Sequence, residues 1–312
     1  MGDEGQPSSL GFIGSSREWR SSMQKRVYPL YFVVPALLLY TLLYITPSLV
    51  GVGYSFTDWN RYTSDVNFVG FQNFQNIFIS NKPYLHYILN TLMFTLFSNL
   101  AKIVPALFLA LMLVSGIRGM NLYRSVMFFP YILSTLVVCL IFQAMMSPRN
   151  GLINVALKAV GLSSWAQKWL ADPKWVWPSI YFVDAWRGVG YVMTIFIAGL
   201  QSIPCYYYEA GEIDGANYFQ RLVHITLPML TPAIMINVVF GLTYGLKVFD
   251  VIYALTNGGP GRMTEVVATA IFTEIGSGNL AMASALSTLQ FLLLTVVGFF
   301  VIRAMLKRTV EA

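Results

Sequence analysis

Charge is what this chain has least of. Only 11% of its 312 residues are Asp, Glu, Lys or Arg, while 56% are hydrophobic, and the mean hydropathy is +0.61. Soluble domains carry about 25% charged residues, so a single water-soluble domain is excluded. Cysteine is nearly absent. Cys139 falls in an apolar run and Cys205 beside a polar loop, so no disulfide framework is expected. His86 and His224 are the only histidines, and no HExxH pattern or cluster of metal ligands occurs. There is no G-x-x-x-x-G-K-[ST] stretch, so the chain has no P-loop with which to bind ATP. The net charge of +6 is not gathered into Lys/Arg clusters with interleaved aromatics, which argues against a nucleic-acid partner.

Apolar runs of bilayer length are what the chain has in abundance. Crossing a membrane takes about 20 residues, and six such runs are predicted at 27–54, 87–114, 125–146, 177–200, 229–256 and 280–302. The fold class is therefore an all-α membrane protein with six transmembrane helices. The first run is too long for a signal-peptide core and has no small-residue cleavage site. Pro35 and Pro47 bend it, which membrane helices tolerate. Residues 1–26 are polar and Gly/Ser-rich, with Arg17, Arg20, Lys25 and Arg26, and read as a mobile cytoplasmic tail. The membrane domain spans 27–308, and 309–312 form a short C-terminal tail. Trp165, Trp169, Trp175 and Trp177 suit two short amphipathic pieces lying along the outer surface.

Six spans put both termini on one side. Ten basic residues fall on the proposed inner side and seven on the outer, so the positive-inside rule leans toward cytoplasmic termini.

The longest-range organiser is a polar interruption at 203–228, IPCYYYEAGEIDGANYFQRLVHITLP. Glu209, Glu212 and Asp214 lie within six positions, and Gly215 follows. Asp-Gly is a turn signal, which predicts one short helix before Gly215 and a second from about Tyr218. Pro228 is expected in the first turn of the next apolar helix.

Glu209-Ala210-Gly211, then Gly215, then Ile225-Thr226-Leu227-Pro228 resembles the EAA signature of membrane subunits of bacterial ATP-binding-cassette importers. Ile203-Pro204, Ile213-Asp214-Gly215-Ala216 and Thr256-Asn257-Gly258-Gly259-Pro260 resemble the carbohydrate-importer branch. The family usually has Ala where this chain has Gly211, and Gly costs about 1 kcal/mol against Ala inside a helix. A looser helix is expected there.

The resemblance implies a type I importer permease fold in the bacterial cytoplasmic membrane. It implies a second permease subunit of similar size, by family habit a different chain. It also implies two ATP-binding subunits, which hold ATP and Mg, and an extracytoplasmic solute-binding protein. The chain itself would be no enzyme and would bind no cofactor. Glu209, Ala210, Gly211, Asp214 and Gly215 would couple it to the ATPase.

Five charges fall inside predicted spans: Lys102 in the second, Asp184 and Arg187 in the fourth, Lys247 and Asp250 in the fifth. Each pair has opposite signs at a spacing of three, which places both members on one helix face. Such groups cost about 2.5–3.5 kcal/mol apiece in a bilayer on insertion scales. One reading has each pair neutralise itself. The other makes them part of a polar path. Lone Lys102 is expected near a polar groove or a neighbouring subunit.

By resemblance, sugar contacts would come from Asp184, Arg187, Gly188 and Tyr191 in the fourth span, and from Gly241, Tyr244, Gly245 and Val248 in the fifth. Aromatic faces stack on sugar rings, and the glycines leave room for hydroxyls. An unneutralised Arg187 would receive a carboxylate, and so an anionic sugar. Two other readings remain open: an ion-coupled transporter using Asp184 or Asp250, and an importer of the same class for a non-sugar solute.

Overall fold

The structure is a computed structural model that describes residues 30–79, 83–114, 116 and 119–310. The expected tail at 1–26 lies outside the described residues. Chain contacts divide the molecule into two units, 1–53 and 54–312.

The first unit holds most of α1 (Val33–Tyr54), an uncharged helix of 22 residues with mean hydropathy 1.9. A π-helical turn at Thr41–Ile45 interrupts it. Thr46 Oγ1 donates to Thr41 O at 2.9 Å and Ser48 Oγ to Tyr44 O at 2.6 Å. Thr41 O also accepts from the Thr46 backbone N–H, so the widened turn is held by main chain and hydroxyl together.

The second unit is all helix among the described residues, apart from an isolated bridge between Thr57 and Phe68. A short helix α2 (Gln72–Phe78) precedes the long helix α3 (Tyr84–Val114). The third predicted span is not straight. It is two helices, α4 (Met120–Ile132) and α5 (Thr135–Met145), bent by 92°. Leu133 and Ser134 are both extended (ψ 144° and 132°), just after Pro130, and two extended residues end a helix outright. The surface helix α6 (Leu152–Ala159) follows. It is held by Asn154, which accepts from Trp169 Nε1 at 2.8 Å and donates to Gln167 O at 2.9 Å.

The fourth span is α7 (Val176–Gln201). The polar interruption contains α8 (Tyr206–Ile213) and leads into α9 (Tyr218–Met229). Then α10 (Thr231–Leu246) leaves α9 at 62°. Pro232, not Pro228, occupies the first turn of α10. Pro228 lies near the end of α9, downstream of a π-helical turn at Leu222–Thr226.

The fifth span breaks again at Lys247 and Phe249 before α11 (Asp250–Thr256). The stretch 261–279 holds the helix α12 (Val267–Gly276), whose first turn is buried. The last helix, α13 (Leu280–Val310), closes the fold. Among the described residues four helices are long and apolar enough to cross a membrane, and the two bent pairs bring the total to six if each pair is one span.

Three buried clusters hold this unit together. One joins Phe94, Val138, Phe142, Ile180 and Ile252. A second joins Ala106, Ala110, Met193, Phe196 and Leu230. The third joins Ile77, Tyr87, Val267, Met282 and Leu286. In lipid the attraction between helices comes from close packing, so small residues set the approach. A Cβ on Gly190 would fall on the Met127 and Phe128 backbone, so α7 meets α4 only because that position is glycine.

Side-chain amides lock the non-helical backbone. Asn90 Nδ2 donates to Met263 O and Glu265 O at 2.9 and 2.8 Å. Gln290 Nε2 donates to Leu246 O at 2.8 Å, beside the break between α10 and α11. Both satisfy carbonyls that a bilayer would not hydrate. In the loop after α1, the Asn67 backbone N–H and then its side chain hold the Asp58 carboxyl below its ordinary pKa.

Candidate functional site

Five helices of the second unit converge on a cavity of about 350 Å³. From α3 come Asn99 and Lys102, one turn apart. From the bend between α4 and α5 come Tyr131 and Thr135. From α7 come Asp184, Arg187, Gly188, Tyr191 and Val192. From α10 come Asn237, Phe240, Gly241 and Tyr244, and from the start of α11 comes Asp250.

Asp184 is the hub. It is 2% exposed. Its Oδ2 accepts from Lys102 Nζ at 2.8 Å and from Ser98 Oγ, and its Oδ1 accepts from Tyr244 Oη at 2.8 Å. Three helices, α3, α7 and α10, are thereby tied at one carboxylate. A buried charge is tolerated when it is both paired and hydrogen-bonded, and this one is.

The expected pair of Asp184 with Arg187 does not form. Lys102 takes that place, because its extended stem crosses the face of Gly188. Lys102 is thus paired rather than lone, and it lines the polar groove, one of the two places expected for it. Lys247 and Asp250 do not pair either. Among the described residues no ion pair joins them, because the helix ends between them and a spacing of three no longer means a shared face. Lys247 is exposed and lies outside the cavity lining, whereas Asp250 is part of it.

Arg187 is held differently. Its guanidinium carbon lies 5.3 Å from the Tyr131 ring centroid, and its Nε is buried with no hydrogen-bond partner. Tyr131 in turn stacks on Tyr191, centroids 4.6 Å apart and planes within 14°. Phe240 meets Tyr191 edge-on at 6.4 Å. Asn237 is 2% exposed, and neither of its amide atoms has a partner.

Of the residues proposed for sugar contact, Asp184, Arg187, Gly188, Tyr191, Gly241 and Tyr244 are brought together. Gly245 and Val248 are not. A Cβ on Gly245 would come 2.7 Å from Thr95 Oγ1, so it serves the close approach of α10 to α3. Val248 is buried in the first apolar cluster. The glycines do not leave open room either. The space beside Gly188 holds the Lys102 stem, and that beside Gly241 holds the Asn99 amide. Tyr131, Thr135, Asn99, Asn237 and Phe240 were not singled out. Asn99 and Lys102 carried a signal, since Thr91, Thr95, Ser98 and Lys102 mark one polar stripe of helix α3.

The second candidate site is the elbow between α7 and α10. Gly215 has φ +75°. The Ala216 N–H bonds Gly211 O at 2.8 Å and the Gly215 N–H bonds Glu212 O at 3.0 Å, which is a Schellman ending for α8. Helix α9 then starts with a reciprocal box in which Asn217 and Gln220 each bond the other's backbone N–H, at 2.8 and 2.9 Å. Glu212 pairs with Arg221 across the elbow. Glu209, Ala210 and Asp214 are exposed, while Gly211 is buried. An added Cβ on Gly211 would come 3.0 Å from Ile225 Cδ1, so glycine there lets α8 sit close to α9. Ile213, Tyr218 and Phe219 stand at the tip, 87%, 66% and 69% exposed. Among the described residues no group of His, Cys, Asp and Glu gathers that could hold a metal, and both cysteines are free.

The fold and this polar, aromatic cavity define a multi-pass membrane protein built around an intramembrane chamber. A family model described as "Binding-protein-dependent transport system inner membrane component" matches residues 80–311. The probable ABC transporter permease protein YurN of Bacillus subtilis is 31% identical over 273 residues, covering 86% of this chain and 93% of the relative. The diacetylchitobiose uptake system permease protein NgcF of Streptomyces coelicolor is 30% identical, covering 86% of this chain and 78% of the relative. The crystal structure of a bacterial ABC transporter involved in the import of the acidic polysaccharide alginate contains a chain of the same fold. It has a TM-score of 0.79 at 24% identity and covers 93% of this chain and 99% of its own. The chain belongs to the family of inner membrane components of binding-protein-dependent transport systems.

Proposed function

We propose that this chain is one permease subunit of an ATP-driven importer, and that it passes a sugar or oligosaccharide through the cavity between α3, α7 and α10. One observation carries the reading. In that cavity a stacked tyrosine pair and Phe240 lie beside an Arg Nε and an Asn amide that have no hydrogen-bond partner. Ring faces suit the apolar faces of sugars, and unpaired donors suit hydroxyls. Uptake systems among the relatives are named for diacetylchitobiose, for trehalose/maltose and for multiple sugars, which supports the same class of cargo.

The ATPase lies in other chains on this reading, since this one has no P-loop. The complete importer holds a second permease, two ATP-binding subunits and an external solute-binding protein. Both termini and the elbow face the cytoplasm. The exposed tip formed by Ile213, Tyr218 and Phe219 seats in the ATPase, and Glu209 faces a basic residue across that contact. ATP closes the ATPase pair, the elbow moves with it as a rigid element, and the cavity opens outward to receive cargo from the binding protein. Such a device is a two-state switch biased by ligands at two distant places.

The test is uptake of labelled oligosaccharide into proteoliposomes holding the assembled importer and its binding protein. ATP inside the vesicles should drive uptake with no ion gradient. Uptake that follows a proton or sodium gradient and ignores ATP would overturn the reading in favour of an ion-coupled transporter.

A further inference from the structure

Arg187 lines the cavity, and among the described residues no ion pair joins it to an acid. Asp184, three residues away, has both oxygens occupied by Ser98, Lys102 and Tyr244. Asp250, the other acid in the lining, is exposed at the first turn of α11, and no ion pair joins it to Arg187. Lys102 and Asp184 cancel each other. Arg187 is thus the one cation in the lining that has no ion-pair partner among the described residues. Its Nε is buried and unbonded, as are both amide atoms of Asn237 on the facing helix. A buried N–H without an acceptor is costly, and the cost at Arg187 Nε is removed when a ligand brings the acceptor.

We infer, on the sugar-import reading above, that the cargo is an acidic oligosaccharide whose ring carboxylate is taken by Arg187, with a neighbouring hydroxyl taken by Asn237. Tyr131 fixes the guanidinium by lying 5.3 Å from it, so the planar fork is set before cargo arrives. A planar fork matches a planar carboxylate in two parallel bonds. The charge balance selects a carboxylate over a phosphate. One free cation neutralises one negative charge, whereas a phosphomonoester carries about −1.5 to −2 at neutral pH.

The experiment uses the complete importer in lipid nanodiscs, with both permeases and both ATPases and without the binding protein. Binding is followed by calorimetry for three probes: a trisaccharide carrying a single terminal uronate, its carboxyl-reduced neutral form, and glucose 6-phosphate. The singly charged uronate trisaccharide should bind more than about tenfold tighter than its neutral form, as expected for a charge-assisted pair. Arg187→Gln should bring that ratio near one, and Arg187→Lys should recover part of it, which shows that the variants remain folded. Equal binding of charged and neutral trisaccharides by the native protein overturns the inference and leaves the sugar reading standing. Tighter binding of the sugar phosphate overturns the choice of carboxylate. Binding of none of the three overturns the inference and the sugar reading together.

Discussion

Lys102 Nζ and Asp184 Oδ2 stand 2.8 Å apart, joining α3 to α7 inside the apolar interior. Both side chains are nearly fully buried, 8% and 2% exposed. Removing one partner strands the other in a low-dielectric site, which costs about 3–5 kcal/mol. Lys102→Met should therefore lower the yield of assembled complex and its midpoint of thermal unfolding. Lys102→Met with Asp184→Asn should recover most of the loss, because no bare charge remains. Midpoints read by size-exclusion after heating check this. A double variant no better than the single one would show that the pair does more than neutralise itself.

Gly190 is where α7 rides against the backbone of α4. Gly190→Ala would place a methyl on the Met127 carbonyl, and overpacking costs about 1–3 kcal/mol. The expected outcome is a less stable subunit with Tyr131 displaced from Tyr191. Midpoints compared with the native protein check it, and an unchanged midpoint would mean that α4 yields freely there.

Gly215 sits at φ +75° with nothing within 4 Å of an added Cβ. The obstacle to substitution there is backbone conformation alone, about 1–2 kcal/mol for a side chain that resists the left-handed region. Gly215→Asn should be well tolerated, since Asn visits that region. Gly215→Val should leave assembly partly intact and reduce sugar uptake per ATP hydrolysed. The ratio of the two rates, measured in one vesicle preparation, reads the effect. Equal ratios for both variants would separate the elbow's shape from coupling.

Phe219, 69% exposed, is an apolar side chain at the elbow's tip. Phe219→Asp should cost no folding stability in this subunit and should reduce copurification of the ATPase subunits severalfold. Undiminished copurification would place the ATPase contact elsewhere.

Much of this was legible in the residues. Apolar runs about 20 residues long marked the spans, and Asp-Gly within EAGEIDGA marked the elbow to the residue. Gly215 falls at the left-handed position that such a turn demands. The pairing of charges was not legible. Spacing of three places Asp184 and Arg187 on one face only of their own helix, while the partner came from Lys102, 82 positions away. Lys247 and Asp250 misled for another reason, since the helix breaks between them. Tyr131 was hidden because its place depends on the 92° bend after Ile132, and a run of apolar residues does not announce a bend. Glycines at 188, 241 and 245 looked like room for cargo. The neighbours that fill that space, Lys102, Asn99 and Thr95, all come from helix α3, which no local pattern could align with them.

The account rests on cargo passing through the cavity beside Tyr131 and Tyr191. Thr135 lines that cavity, and cysteine nearly matches it in size. The native thiols, buried Cys139 and exposed Cys205, are first replaced by Ala and Ser, and Thr135→Cys is added. Uptake is then measured in proteoliposomes before and after treatment with a bulky maleimide. Labelling at position 135 should abolish ATP-driven uptake, and saturating cargo should slow the labelling. Full uptake by carriers labelled at that position would contradict passage through the cavity.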